Sequence, residues 1–266
     1  MSSVSKLVAL AGAGAVLAAV AGCSLPNVAS SPPATSSSPS ATPSSASGAA
    51  TTAAPAPTTP MSSQPQASGQ LTGTQLDLVL LPQSYFPAGF TLTSSTAVNS
   101  GSTLTSSPAK YDLATISCAT FLQHLGSTGF GETAMAANSF SAQPQAYDQL
   151  VYQFGSADAA SGFVAGIKAL AGRCHSFRLT DNGATGTFSL SAADGAQVGG
   201  HPSLELRQAG KIGGSSIALT MQLSASGVDV FAGATVGVGT SEPTGVATST
   251  IVYTLMKRQP AAAQLG

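Results

Sequence analysis

Charged residues are scarce in this chain of 266 residues, and tryptophan is absent. Only 7% of the residues are Asp, Glu, Lys or Arg, against about 25% in a typical soluble domain. The formal net charge is −1, from 9 Lys and Arg against 10 Asp and Glu. The chain therefore has no basic field that would hold a phosphate backbone, and we expect no nucleic acid among its partners.

Several motifs that commonly carry catalysis are also missing. The sequence has no Gly-x-Ser-x-Gly nucleophile turn and no Gly-x-x-x-x-Gly-Lys phosphate loop. Its three histidines, His124, His175 and His201, have no partner at a metal-ligand spacing. We therefore predict no catalytic residues, no metal and no cofactor. An enzyme of unfamiliar type is the weaker alternative, because it would need titratable residues to converge from scattered positions.

The first 23 residues have the pattern of a bacterial export signal that ends in a cysteine. Lys6 precedes an apolar run over 7–22, which is too short and too rich in Gly and Ala for a membrane-spanning helix of about 20 residues. The tetrapeptide Val20-Ala21-Gly22-Cys23 resembles a lipobox. In that interpretation residues 1–22 are a signal peptide that is removed, and Cys23 carries diacylglycerol and palmitate that anchor the protein to the membrane. The alternative is a plain signal peptide with Cys23 near the cut.

The segment after this signal is polar but uncharged. Residues 23–70 are nearly all Ser, Thr, Pro, Ala, Gly and Gln, and no charged residue lies between Lys6 and Asp77. Such a composition cannot bury enough apolar surface to offset the entropy of ordering the chain. We predict a disordered stalk, stiffened by its prolines, that holds a domain on the extracytoplasmic side of the cell membrane.

The remaining charged residues lie within residues 71–258, which we assign to one folded domain, followed by a flexible tail at 259–266. Capping residues and apolar spacing predict helices over 118–125, 156–174 and 243–258. Alternation predicts strands, listed here by range: 147–154, 187–190, 203–207, 217–223 and 228–234. The last two strands flank Ala225-Ser226-Gly227 and indicate a β-hairpin.

This order of elements predicts an α+β fold, an antiparallel β-sheet with helices packed on one face. The other face would carry a polar set of side chains, namely Ser216, Thr220, Gln222, Asp229 and Thr235. Two arrangements fit that set, since the face is either solvated or lines a cleft.

Two cysteines lie within the domain, Cys118 and Cys174. An even pair in an exported chain predicts one disulfide between the two helices that carry them. The alternative is a redox pair, which usually has the Cys-x-x-Cys spacing that this chain lacks.

Arginines and tyrosines are the candidate ligand-binding residues. Arg178 lies in 175–179, a further predicted strand, and Arg207 lies in the predicted strand 203–207. Their guanidinium groups would hold a carboxylate or phosphate if they face a cleft. The alternative is a solvated sheet face on which Arg207 forms an ordinary ion pair with Glu205. Tyr147 and Tyr152 either line the same cleft or belong to the core.

Four short motifs of the domain are similar to a known family. They are Ser117-Cys118, the strand 147–154, the helix start Ser156-Ala157-Asp158-Ala159-Ala160 and the helix end Gly172-Arg173-Cys174. Together with the lipobox and stalk they resemble mycobacterial-type cell-envelope lipoproteins and the extracellular sensor domain of PknH-type receptor Ser/Thr kinases. The chain departs from such sensors in having one cysteine pair instead of two and no Trp before the helix-end cysteine.

The resemblance implies an α+β sandwich with a large ligand cleft and no catalysis. We therefore expect a lipid-anchored, non-catalytic protein of the cell envelope that binds or senses a small molecule or a cell-wall component. The alternative is a structural or protein-interaction lipoprotein without a ligand pocket.

Overall fold

The computed structural model describes residues 70–99, 109–181, 183–239 and 244–262. The predicted signal peptide, Cys23 and the stalk before Gln70 lie outside the described residues. The described residues form α1 (Gly73–Val79), α2 (Cys118–His124), α3 (Ala157–Ala171), α4 (Thr248–Ala262), β1 (Thr91–Val98), β2 (Ala134–Ala142), β3 (Gln145–Gln153), β4 (Phe177–Asp181), β5 (Ala184–Val198), β6 (His201–Ile212), β7 (Ser215–Ser226) and β8 (Asp229–Val238).

The eight strands form one antiparallel sheet in the order β1-β2-β3-β8-β7-β6-β5-β4. Consecutive strands pair as hairpins on either side of the central pair β3 and β8. The predicted hairpin is confirmed, with β7 and β8 paired from Ser226 opposite Asp229 to Ile217 opposite Val238. Gly227 in its turn has φ +59°, a left-handed conformation that glycine adopts without strain. The predicted α+β class is confirmed.

Two of the predicted helices begin where their capping residues indicate. The Ser117 side chain accepts a hydrogen bond from the backbone N–H of Thr120 in α2, at 3.1 Å. The Ser156 side chain accepts one from the N–H of Ala159 in α3, also at 3.1 Å. The apolar stripe of α3 is buried along its length, as its spacing predicts.

Ser156→Ala is expected to lower the free energy of unfolding by about 1 kcal/mol, because the first turn of α3 loses its side-chain cap. Urea denaturation followed by circular dichroism measures the change. Ser161→Ala, at an exposed position inside the same helix, is the matched control and should leave stability unchanged or slightly raised. Equal losses in the two variants would contradict the capping role.

The last helix is displaced from its predicted range. It spans Thr248–Ala262 instead of 243–258, so residues 259–262, which the sequence assigns to a flexible tail, form its final turn. Contacts that are remote in sequence hold this turn. The Arg258 guanidinium donates to the carbonyl oxygens of Val79 (2.8 Å) and Leu78 (2.9 Å), and the Gln259 amide donates to Asp229.

Helices cover both faces of the sheet, which corrects the expectation of helices on one face. On the α3 face, defined by Leu206, Met221 and Leu223, the sheet packs against α2 and α3. On the α4 face, defined by Tyr147, Val151 and Phe231, it packs against α1 and α4. The reason lies in β8, where all ten residues are buried, because a central strand with small and apolar residues on both sides needs cover on both. At Gly233 of β8 an added Cβ would lie 2.8 Å from Ile251, so the glycine permits the close approach of α4.

A disulfide joins Cys118 at the start of α2 to Cys174 beyond the end of α3, with a Cα–Cα distance of 5.7 Å. The predicted pairing is confirmed. The bond connects two helices that pack on the same face of the sheet.

Candidate functional site

Part of the α4 face is left uncovered by the helices. Alternate side chains of β4, β5, β6 and β7 point to this face and are exposed or half-buried. We call this surface the open face, and its members are Arg178, Thr180, Thr187, Ser189, Ser191, Ala193, Glu205, Arg207, Ala209, Lys211, Ser216, Ala218 and Thr220. The period of two along each strand explains the pattern, since the neighbours Phe188 and Leu190 are buried on the α3 face.

The open face holds three cations and one acid. Arg178 and Lys211 both lie in the register row of Thr187, so their backbones are about 10 Å apart across two strand spacings. Arg207 lies four residues before Lys211 on β6, about 13 Å along the strand. Glu205 Oε1 accepts a hydrogen bond from Arg207 Nε at 2.5 Å. Within the described residues, neither Arg178 nor Lys211 has an acidic or hydrogen-bonding side-chain partner.

A shallow depression of about 510 Å³ lies on the open face beside Lys211. It is lined by Thr187, Ala209, Gly210, Lys211, Ser216, Ile217 and Ala218. The depression forms because the residues of β6 and β7 that line it are mostly small, so that their side chains extend only a short distance from the backbone. Position 210 must be glycine because of its packing on the α3 face, where an added Cβ would lie 2.2 Å from the Phe188 ring. Thr187, Lys211 and Ser216 contribute its polar groups, but most of the surface that the depression exposes is apolar.

The four predicted ligand-binding residues are not brought together. Arg178 and Arg207 are both exposed on the open face, and Arg207 forms the ion pair with Glu205 that the alternative interpretation describes. Tyr147 and Tyr152, by contrast, are completely buried and lie on opposite faces of β3. The ligand-binding role of the arginines stays a prediction.

Both tyrosine hydroxyls serve the packing of the core. Tyr147 packs against Phe86 and Phe90, and its oxygen accepts a hydrogen bond from the N–H of Val246 at 3.3 Å. The oxygen of Tyr152 accepts one from the N–H of Gly126 at 2.7 Å. Burial raises the pKa of the Tyr152 hydroxyl far above its ordinary value, so this group stays neutral at physiological pH. Neither ring reaches the open face.

Lys211 is the member of the site that sequence reasoning missed. It lies four residues after Arg207 on the same strand, an even spacing that places both side chains on one face. The strand prediction 203–207 ended too early to include it, whereas β6 continues to Ile212.

The histidines form no metal site. His124 stacks on Tyr111 with ring centroids 4.4 Å apart, and its Nε2 hydrogen-bonds to the tyrosine hydroxyl at 3.0 Å. Burial lowers the pKa of His124 below its ordinary value, which favours the neutral ring. In the part of the chain that the structure describes, no three His, Cys, Asp or Glu side chains are grouped so that they could hold a metal ion.

A buried carboxyl group lies at the other end of the sheet from Lys211. Asp229 is 1% exposed, and its two oxygens accept hydrogen bonds from the side-chain amides of Gln153 (3.1 Å) and Gln259. The Gln153 oxygen accepts from the backbone N–H of Leu71 at 3.0 Å. Burial raises the pKa of Asp229 to about 7, against the lowering effect of its two hydrogen bonds. The cluster connects the start of the domain with β3, β8 and α4.

None of the described helices is both long enough and apolar enough to cross a membrane.

No protein-family model matches this chain, and no curated protein matches it. Among solved structures, the chain is similar to the extracellular domain of PknH from Mycobacterium tuberculosis, with 14% identity, a TM-score of 0.49, and coverage of 75% of this chain and 100% of that one. It is also similar to an uncharacterized protein from Mycobacterium smegmatis, an Rv0999 ortholog, with 9% identity, a TM-score of 0.36, and coverage of 71% and 96%. The predicted resemblance to the PknH-type sensor domain is confirmed as a similarity of this degree.

Proposed function

We propose that this chain is a lipid-anchored protein of the cell envelope that displays a non-catalytic binding domain on the extracytoplasmic side of the membrane. The observation that carries the proposal is the open face. The described helices cover the central strands of the sheet on both faces, but this surface presents Arg178 and Lys211 without partners among the described residues. In a chain with so few charges, two solvent-facing cations on a sheet surface that none of the described helices covers are best explained by an external ligand.

The position of the open face in the domain supports this role. The stalk joins the domain at the end of the sheet where Leu71 contacts Gln153. Lys211 and Ser216 lie at the opposite end, and β7, with 12 residues, spans roughly 40 Å between the two ends. A domain held by its Leu71 end would present the depression away from the membrane, toward the envelope.

Native mass spectrometry of the full chain, purified in detergent from the envelope of its own host, tests whether a ligand is present. We expect an excess mass, beyond the lipid on Cys23, that disappears when the same sample is denatured. A bare mass would overturn the ligand-binding proposal. The alternative of a structural or protein-interaction lipoprotein would then account better for the domain.

The anchor has its own test. Cys23→Ala is expected to abolish acylation completely, because the thioether that holds the diacylglycerol needs the thiol of Cys23. Mass spectrometry of the N-terminal peptide and the distribution of protein between membrane and soluble fractions measure the loss. Ser24→Ala, the neighbouring change, should keep the lipid. An unmodified Cys23 in the wild-type peptide would contradict the lipoprotein assignment.

A further inference from the structure

We infer that the end of the open face around Lys211 binds a small amphiphilic anion, a molecule with one carboxylate or phosphate group and a compact apolar part. This inference rests on the proposed function and specifies its ligand class. It is carried by a row of cations and hydroxyl groups that borders a depression with a mostly apolar surface. We call it the cross-strand row, and its members, one from each of β4, β5, β6 and β7, are Arg178, Thr187, Lys211 and Ser216.

The cross-strand row places two cations on either side of one hydroxyl group. Thr187 pairs with Arg178 on β4 and with Lys211 on β6, and all three side chains lie on the open face. Each cation is one strand spacing, about 5 Å, from Thr187 at the backbone. Both long side chains can therefore reach one anion above Thr187. Such an anion would accept hydrogen bonds from the guanidinium, ammonium and hydroxyl groups together.

The neighbouring rows on either side are uncharged. One of them holds Ser189, Ala209 and Ala218, and in the other the hydroxyl groups of Thr180 and Thr185 hydrogen-bond to each other at 2.9 Å. In the free domain the two positive charges of the cross-strand row repel each other across one hydroxyl group. A bound anion would replace this repulsion with two attractions.

This arrangement distinguishes the cross-strand row from the cations Lys110 and Arg207. Lys110 also lacks a side-chain partner among the described residues, but it lies beside Gly129 outside the sheet and shares no row with a second cation. Arg207 is engaged by Glu205. The row is therefore marked by two cations next to one hydroxyl group, and not by the lack of a partner alone.

The depression beside the row offers a place for the apolar part of a ligand. Its volume of about 510 Å³ lies within the range of about 300–1,000 Å³ for small-molecule sites. Thr187, Lys211 and Ser216 belong to both the row and the depression, whereas Ala209 and Ala218 give the depression apolar surface. A bare phosphate or carboxylate would leave this apolar surface in contact with water. A neutral apolar molecule would leave the two cations unpaired, so an anion with an apolar group attached fits best.

The position of the depression favours a dissolved ligand over a membrane lipid. Lys211 and Ser216 lie at the end of the sheet opposite to Leu71, where the predicted stalk joins the domain. A lipid would have to leave the bilayer to reach this end. The ligand that we infer is therefore a free carboxylic acid or phosphate monoester.

The experiment titrates the full chain in neutral detergent micelles with hexyl phosphate and with hexanoate, and NMR follows the methyl signals of labelled isoleucine and alanine. Ile217, Ala209 and Ala218 line the depression, so their signals report a ligand that is bound there. We expect at least one probe to bind about tenfold or more tightly than inorganic phosphate, acetate or hexanol, because ionic and apolar contacts add. Binding of neither probe, or binding no tighter than that of its head group or of hexanol, would overturn the inference.

Arg178→Gln/Lys211→Gln should weaken binding of the probe by about tenfold or more, because the charge-assisted contacts are lost. The charge-preserving Arg178→Lys/Lys211→Arg should retain most of it. Lys110→Gln/Lys257→Gln is the matched control, since it removes the same charge from exposed positions outside the open face. It should change the affinity by less than about twofold. Equal losses in the two glutamine variants would show general attraction to positive charge and would overturn the inference.

Ala218→Gln tests the apolar part of the site separately. The longer polar side chain would occupy the depression, so the affinity for the probe should fall by about fivefold, because apolar surface is no longer buried. The affinity for inorganic phosphate or acetate should stay within about twofold. If Ala218→Gln binds the probe as tightly as the wild type does, the apolar group lies elsewhere and the inference is wrong.

The native mass spectrum separates this inference from the proposed function. A neutral molecule or a phospholipid as the excess mass, together with no binding of the probes, would overturn this inference and leave the proposed function standing. A bare mass together with no binding of the probes would overturn both.

Discussion

Replacing Cys118 and Cys174 by alanine is expected to lower the free energy of unfolding by about 4 kcal/mol. The bond closes a loop with a sequence separation of 56 residues. Closing a loop of that length lowers the entropy of the unfolded chain and raises its free energy by about the same amount. The loop contains β2, β3 and α3, so its release frees a large part of the domain. Thermal and urea denaturation of the variant and the wild type measure the difference.

Reduction of the wild type separates the cross-link from packing. Cys174 is completely buried in the core, so alanine also removes a packed sulfur atom. The reduced wild type keeps both sulfur atoms and should lose most of the same stability. If the reduced and oxidised proteins unfold at the same urea concentration, the bond does not stabilise the domain.

Local signals explain which elements could be predicted. Ser117 and Ser156 mark helix starts because a cap needs only residues within one turn. The β7/β8 hairpin has the same property, because its turn and its alternation are contiguous in the sequence. These are the elements whose predicted and observed ranges agree best.

The elements that the sequence did not predict depend on remote contacts. β1 has the sequence Thr-Leu-Thr-Ser-Ser-Thr-Ala-Val, mostly exposed, and it is a strand because it pairs with β2. α1 has seven residues, too few to be stable alone. The side chain of Gln149 in β3 holds the chain after α1, accepting from the N–H of Leu81 and donating to its carbonyl oxygen, both at 2.8 Å. No local sequence pattern predicts such a contact.

The candidate site likewise has some features that local sequence patterns predict and others that depend on remote contacts. Arg178 and Arg207 could be placed on a sheet face because strand alternation is local. The burial of Tyr147 could not be predicted, because α1 and α4 cover that part of the α4 face and neither position was foreseen. Sequence reasoning identified the polar strands and misjudged how far the helices extend over them.

Asp229 is the clearest consequence of that misjudgement. The sequence places it on the polar face of the sheet, but it is buried because α4 continues to Ala262 and brings Gln259 over the end of β8. A carboxyl group expected to be solvated is therefore enclosed between two glutamine amides. Its ionisation becomes coupled to folding.

Asp229→Asn is expected to remove most of the pH dependence of stability between about pH 4 and 7. The folded-state pKa is raised from 3.8 to about 7, so the folded protein binds the proton more tightly than the unfolded chain does. Below the unfolded pKa both states are protonated and burial of the ionised group costs nothing. As the pH rises above 3.8, ionisation of the carboxyl group stabilises the unfolded chain. The free energy of unfolding therefore falls by on the order of 4 kcal/mol by the time the pH passes 7. Asparagine is neutral over this whole pH range. The side-chain amide of Gln259 can rotate so that its oxygen accepts a hydrogen bond from the asparagine amide.

Urea denaturation at intervals from pH 4 to 8 measures this dependence for the wild type, Asp229→Asn and Asp148→Asn. Asp148 is the matched comparison, because burial also raises the pKa of that carboxyl group, to about 6, against the lowering effect of Ser139. Its substitution should flatten a smaller part of the curve, confined to pH values below about 6. At pH 8 the Asp229→Asn protein should be the most stable of the three. A pH profile that Asp229→Asn leaves unchanged would mean that the carboxyl group ionises freely in the folded protein and that the Gln153–Asp229–Gln259 cluster is open to water.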